Sequence, residues 1–167
     1  MPSVDFSTAI GPCTLAWSGP ALTAFALPGS QEAGTGDPVG QPAMPPDWVR
    51  ELIARVQRHL GGEAQDFTEV ALDFRTVTPF ARRVYEATRR VPAGRTCTYG
   101  ELAGMLGEPP GASRAIGAIL GANPWPLIVP CHRILGAKGR LTGFSAAGGV
   151  RTKARLLAIE GAQLLAE

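Results

Sequence analysis

Much of what would assign a chain to a functional class at first sight is missing from this one. Among 167 residues there are three cysteines and two histidines. Cys13, Cys97 and Cys131 are odd in number and widely spaced, which argues against a disulfide framework and fits a reducing compartment. No CxxC or HxxxH pair exists, so neither a metal site nor a cofactor is expected. No apolar run approaches the roughly 20 residues needed to span a bilayer. The N-terminus has no basic stretch leading into an apolar one, so no secretion signal is expected. The expectation is a cytoplasmic protein, nuclear in a eukaryote, with no membrane contact.

What the chain does have is 21 glycines, 15 prolines and an uneven division of charge. Residues 1–77 carry four arginines against nine acids, a net −5, and residues 78–167 carry twelve Arg or Lys against five acids, a net +7. The second part is the one that can meet a polyanion, with nucleic acid as the candidate. A plain solvated basic surface is the alternative.

The first part reads as a small α/β unit. Thr14 to Trp17 and Leu22 to Leu27 are short β-leaning runs around Ser18-Gly19-Pro20, a hairpin signature. Residues 28–46 hold almost no large apolar side chain and read as a flexible loop. Asp47 is placed to cap a helix whose apolar stripe is Trp48, Leu52, Val56 and Leu60, ended by Gly61-Gly62. His59, beside Arg55 and Arg58, is expected in solvent. Val70, Leu72 and Phe74 alternate with Ala71 and Asp73, which predicts one more strand.

Thr78-Pro79 opens the second part with a capping hydroxyl and a proline at the first helical position. Phe80, Val84, Ala87 and Val91 form that helix's stripe. Thr98 and Glu101 have capping-box spacing, with Leu102, Met105 and Leu106 expected inside. Glu108-Pro109-Pro110-Gly111 breaks this helix, and another follows from about Ala112 to Leu120. Its core side is Ile116, Ile119 and Leu120; its other side, Arg114, Gly117, Ala118 and Gly121, carries a single arginine. Two short helices across a Gly-containing turn read as a helix-turn-helix. Glycine within a helix costs about 1 kcal/mol relative to alanine, so two on one face suggest the close approach of another body. That body is either DNA or a neighbouring helix.

From Asn123 the chain runs through Leu127-Ile128-Val129 into Pro130-Cys131-His132-Arg133. An apolar run closed by proline should stay buried, which puts Cys131 at a pocket floor. A buried thiol is usually inert, whereas one beside a histidine can be a nucleophile. Residues 135–149 hold five glycines around Phe144 and Ser145 in a loop. The last helix is expected to turn Val150, Ala154, Leu156 and Leu157 inward and Arg151, Lys153 and Arg155 outward. Glu160 sits at its C-terminus, where an acid opposes the macrodipole. A hydrogen bond to a buried histidine would explain it.

With these pieces in order, residues 78–164 resemble the O6-alkylguanine-DNA alkyltransferases, the methylated-DNA–protein-cysteine methyltransferases. The resemblance rests on Thr78-Pro79-Phe80, Thr98-Tyr99-Gly100-Glu101-Leu102-Ala103, Ser113-Arg114-Ala115, Asn123-Pro124, Ile128-Val129-Pro130-Cys131-His132-Arg133, Gly143-Phe144-Ser145 and Leu156-Leu157-Ala158-Ile159-Glu160-Gly161. It implies an α+β protein: a small N-terminal α/β domain (1–77, sheet plus helix, with the 28–46 loop), then a mostly helical domain (78–167) with a helix-turn-helix, winged-helix-like DNA-binding unit.

The resemblance also implies roles. Cys131 would take an alkyl group irreversibly from O6 of a flipped guanine, possibly also from O4 of thymine, in a single turnover. His132 would be the base, Glu160 the acid holding its tautomer, Tyr99 the proton donor to the leaving guanine, and Asn123 a hinge. The thiol pKa would have to be lowered. Ser113, Arg114, Ala115, Gly117, Ala118 and Gly121 would meet the minor groove, with Arg114 filling the place of the flipped base. Arg133, Ile134, Phe144, Ser145 and Lys153 would line the substrate side. Phe144 stands where many members have tyrosine, and Ala146-Ala147 where glycine-rich residues are common. The partner would be double-stranded DNA containing O6-alkylguanine, met by a monomer that can bind cooperatively. Two alternatives stand beside this: a non-catalytic lesion-binding relative, which would replace the acceptor cysteine, and a helix-turn-helix transcription regulator.

Overall fold

The computed structural model describes residues 2–29, 44–141 and 149–162. It opens with three antiparallel strands in the order β1 (Ser3–Thr8), β2 (Gly11–Ser18) and β3 (Ala21–Ala26). Cys13, Leu15 and Trp17 alternate inward along β2, and Leu22 and Phe25 join them from β3. The register runs from Thr14 opposite Ala26 to Ser18 opposite Ala21, with a bulge at Ala16/Trp17. β1 adds an edge strand beyond the expected hairpin, pairing Ser3 with Ala16 through Thr8 with Gly11. Its two apolar residues, Val4 and Phe6, alternate with Ser3, Asp5 and Ser7, a period-2 strand signal that the hairpin reading passed over.

Helix α1 (Asp47–Leu60) packs against this sheet with the expected Leu52, Val56 and Leu60 buried, on a face wider than the apolar stripe. Val49, Leu52, Val56, His59 and Leu60 face inward, and Trp48 lies at the stripe's edge. Asp47 is not the cap: Pro46 holds that position, and the Asp47 carboxylate pairs with Arg50 instead. Gly61 and Gly62 end the helix, Gly62 at φ +106. The strand expected at 70–74 shrinks to one parallel bridge. Leu22 donates to the Ala71 carbonyl (2.8 Å), and Asp73 donates to the Leu22 carbonyl (2.9 Å). Tight turns at Phe67–Val70 and Phe74–Val77 bracket that bridge and leave no length for a ladder.

Helix α2 (Pro79–Arg89) begins as its sequence predicts, with Ala81 donating to the Thr78 hydroxyl at 3.1 Å. The capping box of α3 (Tyr99–Met105) is complete: Glu101 N–H donates to Thr98 Oγ1 (3.0 Å) and Thr98 N–H donates to Glu101 Oε1 (2.9 Å). Leu102 and Ala103 fill the core, whereas Met105, expected inside, is 52% exposed at the end of this two-turn helix. Helix α4 (Ser113–Gly121) buries Ile116 and Leu120 and packs against both α2 and α3, which completes the helix-turn-helix. A two-residue parallel pair, β4 (Cys97–Thr98) with β5 (Ile134–Leu135), ties the entrance of α3 to the residues after Cys131.

In the last helix, α5 (Gly149–Ile159), the buried residues are Lys153, Leu156 and Leu157. Leu156 and Leu157 are buried as expected, whereas Val150 is 43% exposed and Lys153 points in rather than out. One continuous apolar cluster runs from Cys13 to Leu156. Trp125 bridges its two parts, donating from Nε1 to the Leu22 carbonyl at 2.8 Å between the rings of Phe74 and Tyr85. Phe25 N–H donates to the Pro124 carbonyl at 2.9 Å, so the sheet props the segment that leads to Cys131. The architecture is α+β, a small antiparallel sheet with a helix followed by a mostly helical part. Among the described residues no helix is long and apolar enough to cross a membrane.

Candidate active site

Cys131 is 5% exposed and opens a one-turn 3-10 helix, Cys131–Arg133. The corner before it is sharp. Pro130 has φ −78 and ψ 65, and the Cys131 N–H donates to the Val129 carbonyl at 2.7 Å, an inverse γ-turn. The side chain of Asn123 braces that corner: Nδ2 donates to the Val129 carbonyl (2.9 Å) and to Cys131 Sγ (3.3 Å), and Oδ1 accepts from Trp125 N–H (2.9 Å). Asn123 therefore links the end of α4 to the acceptor turn.

The sulfur is not ionised at rest. Burial pushes the Cys131 thiol above its ordinary pKa, and the Asn123 hydrogen bond and the Lys153 charge only partly offset this. This corrects the expectation of a lowered pKa. Ionisation here has to accompany proton removal by a neighbouring base.

His132 is such a base. It is fully buried, and burial holds its pKa below the ordinary histidine value despite the carboxylate of Glu160, so the ring is neutral at pH 7. Its Nε2 lies 2.9 Å from Glu160 Oε2. With Glu160 ionised, Nε2 carries the proton and Nδ1 the lone pair. Among the described residues no protein group hydrogen-bonds to that buried Nδ1, which leaves it open as an acceptor.

Glu160 follows the last turn of α5 in a Schellman motif. Gly161 N–H donates to the Ala158 carbonyl (3.0 Å) and Ala162 N–H to that of Leu157 (3.0 Å), with Gly161 at φ +74. The glutamate side chain is 1% exposed. Burial alone would raise its pKa. Hydrogen bonds from His132, His59 and Arg133 overcome that and hold the group far below the usual carboxylate range. Oε2 accepts from His59 Nε2 (2.8 Å), His132 Nε2 (2.9 Å) and Arg133 Nη2 (2.7 Å), and Oε1 accepts from Arg133 Nε (2.9 Å).

Three residues therefore stand elsewhere than expected. His59 is buried in this network rather than solvated. Arg133 faces neither DNA nor substrate; its guanidinium is inside, on Glu160 and on the Val91 carbonyl (2.6 Å). Lys153 is not on a rim: it is wholly buried, donates to the Ile134 carbonyl at 2.6 Å, and sits 5.9 Å from the centre of the Tyr99 ring. Burial pushes its pKa down to about 8. Ile134 is buried, and its carbonyl already carries that bond. The signal for His59 was available, because it continues the buried positions Leu52 and Val56 at i+7 and i+3.

Tyr99 is half-buried at the start of α3. A Cβ on Gly117 would lie 3.9 Å from its ring, so the two helices meet closely there. On α4, Arg114, Ala115, Ala118 and Gly121 are exposed and Gly117 half-buried; the Ser113 hydroxyl donates to the Pro110 carbonyl at 2.8 Å. Phe144, Ser145 and the Ala146-Ala147 pair lie outside the described residues. Among those described, no cluster of three or more His, Cys, Asp or Glu side chains could hold a metal. A protonated thiol, a neutral base with an open lone pair and a carboxylate behind that base can together deliver a sulfur nucleophile inside a dry site.

The chain is similar to proteins already known. Residues 79–162 match the family described as 6-O-methylguanine DNA methyltransferase, DNA binding domain. The methylated-DNA–protein-cysteine methyltransferase of Mycobacterium tuberculosis is 40% identical over 152 residues, 90% of this chain and 87% of that protein. The Salmonella typhimurium protein of the same name is 53% identical over 88 residues, 53% of this chain and half the length of that relative. Crystallised M. tuberculosis OGT in complex with DNA superposes with a TM-score of 0.77 at 37% identity, covering 96% of this chain and 93% of that one.

Proposed function

Because this chain belongs to the 6-O-methylguanine DNA methyltransferase family, we propose that it repairs alkylated DNA by direct reversal, moving the alkyl group from O6 of guanine onto its own Cys131. Neutral His132 accepts the thiol proton, directly or through water, and its imidazolium is stabilised by Glu160. The sulfur attacks the alkyl carbon in line, an S–C bond forms, and the C–O6 bond breaks. Tyr99 gives the departing guanine a proton and recovers one through solvent from His132. The thiol proton lost thus balances the proton gained by guanine. The thioether product has no route back, so each molecule acts once.

A paired guanine cannot reach a thiol that is 5% exposed, so the nucleotide must leave the stack. The exposed face of α4 is the groove-docking surface in this reading, with Ser113, Arg114, Ala115, Gly117, Ala118 and Gly121 along it. Arg114 fills the vacated stack, and Ile134 and Ser145 read the flipped base. The protein works as a monomer that can line up cooperatively on DNA, in the cytoplasm, with 1–77 as the supporting unit and 78–167 as the reacting one. The single observation carrying the proposal is the constellation of Asn123 on the sulfur and His132 backed by Glu160, with an open nitrogen.

A lesion-binding relative without chemistry would lack the acceptor, which Cys131 supplies. A regulator would need base-reading side chains on α4, where Arg114 is the one charged residue.

The test is a mass spectrum of the protein after incubation with duplex containing O6-methylguanine. The peptide with Cys131 should gain about 14 Da, one methylene in balance with the lost thiol proton. Cys131→Ser should take up nothing and still bind. Alkylation of Cys13 or Cys97 instead would overturn the assignment; burial raises the pKa of their thiols as it does that of Cys131, but they lie against Thr8 Oγ1 and the Thr98 carbonyl rather than beside a histidine base.

A further inference from the structure

Glu160 is held by one residue that belongs neither to the acceptor turn nor to α5. His59 comes from α1, 101 positions earlier in the chain, and its Nε2 lies 2.8 Å from Glu160 Oε2. Its other ring nitrogen settles the proton's place. Gln65 N–H donates to His59 Nδ1 at 2.9 Å, so Nδ1 is an acceptor and Nε2 bears the hydrogen. His59 is therefore a fixed donor to Glu160. Its ring is also clamped by that of Phe67, with centroids 5.3 Å apart.

We infer that His59 is a positioning residue of the alkyl-acceptor relay, supplied by the N-terminal unit to fix the Glu160 carboxylate against His132. This rests on the reading of Cys131 as acceptor and deepens it, because it makes the relay incomplete without α1. The chemical reason is competition at one oxygen. Oε2 receives both histidine Nε2 donors and Arg133 Nη2. Each donor lowers the basicity of the carboxylate. The proton taken from Cys131 then stops on His132 instead of passing to Glu160. Without the His59 donor, Glu160 is more basic, and its pull on His132 is stronger.

The groups facing His59 from other elements are Glu160 beyond α5 and His132 and Arg133 of the acceptor turn; Arg55 and Arg58 share its helix. As a neutral donor on Oε2, His59 competes with His132 for the same carboxylate oxygen. Removing it therefore raises the pKa of His132. Activity requires neutral His132, so the acid limb of the rate profile moves to higher pH.

The experiment measures the second-order rate of alkyl uptake by the full chain from O6-methylguanine duplex, per molecule of reactive protein, between pH 5 and 9. His59→Leu should react about tenfold more slowly at neutral pH, with its acid limb displaced upward. His59→Gln places an amide donor near the Nε2 position and should recover most of the rate and the wild-type limb. The inference is overturned if His59→Leu keeps the wild-type profile, or if both variants lose rate equally at every pH, the mark of a packing role alone. Failure of the wild-type chain to take up alkyl would instead remove the acceptor reading, so the two failures are distinguishable.

Discussion

Around Glu160, four hydrogen bonds converge from α1 and the acceptor turn on a side chain that solvent barely reaches. Along the outer face of α4, by contrast, one exposed arginine stands among exposed Ala115, Ala118 and Gly121 and half-buried Ser113 and Gly117. The first region is built by saturation, with the full complement of donors around one buried charge. The second is built by omission, with side chains removed so that backbone can come close. Chemistry on a sulfur needs rigid polar partners in a dry setting. Groove docking with little sequence preference needs shape and a positive charge. Each region should accordingly fail in its own way when altered.

The largest effect is expected at the saturated end. Glu160→Gln keeps the shape but turns an acceptor-only group into one with its own N–H donors, facing two histidines and Arg133. Breaking a buried, paired charge costs about 3–5 kcal/mol, so chemical denaturation should show a loss of that order. The alkyl-transfer rate should fall about 100-fold, since the base loses both its tautomer anchor and the stabilisation of its imidazolium. Acid adds a sign test. The folded-state pKa of Glu160 is held below the unfolded value, burial notwithstanding, by the His132, His59 and Arg133 bonds. Its stabilisation is therefore complete above the unfolded pKa of about 4.3 and lost as pH falls below it. Wild-type stability should drop through that range, and the Gln variant should lack this component of the drop. A variant as active and as acid-sensitive as wild type would dissolve the contrast between the two regions.

At the open end the expected loss is smaller and selective. Arg114→Ala removes the one charge of the α4 face and, in the proposed mechanism, the side chain that occupies the gap left by the flipped base. Uptake from duplex O6-methylguanine should slow about tenfold, in line with an extrusion cost of a few kcal/mol. Reaction with the free base O6-benzylguanine, which needs no extrusion, should keep its rate. Equal slowing on both substrates would mean that Arg114 acts on the acceptor site, and the two regions would not be separable.

How much of this was legible in the sequence follows the same division. The α4 face could be read directly, because a helix nine residues long shows its phase in Ile116 and Leu120 and its bareness in Gly117, Ala118 and Gly121. The caps of α2 and α3 were legible because each is settled within four residues. Cys131 and His132 were conspicuous as neighbours, and the misplaced acid at 160 already asked for a donor. The partners of the buried polar groups were not legible, although the spacing of α1 already put His59 on its buried face. His59, Arg133 and Lys153 are polar types that normally stay wet, and they are inside only because partners distant in sequence receive them: Glu160 takes His59 and Arg133, and the Ile134 carbonyl takes Lys153. Leu52, Val56 and Leu60 of α1 and Leu156 and Leu157 of α5 are buried as their spacing predicts, but a histidine in one helix and a lysine in the other occupy core positions that an apolar count passes over. The raised thiol pKa also depends on burial, which no local motif specifies.

The finest test uses Gly121, the last residue of α4. A Cβ there would meet nothing within 4 Å, and the backbone has no need of glycine's positive φ. Gly121→Ala should therefore be tolerated and even stabilising, by up to about 1 kcal/mol and less so near close to a helix end. If the bare face exists so that α4 can lie against DNA, the same methyl group should weaken duplex binding, by about threefold in fluorescence anisotropy. The two measurements should thus move in opposite directions, stability up and affinity down, with the free-base reaction unchanged. Affinity that stays level while stability rises would mean that the glycine serves neither the fold nor the groove, and the α4 face would be bare without a docking purpose.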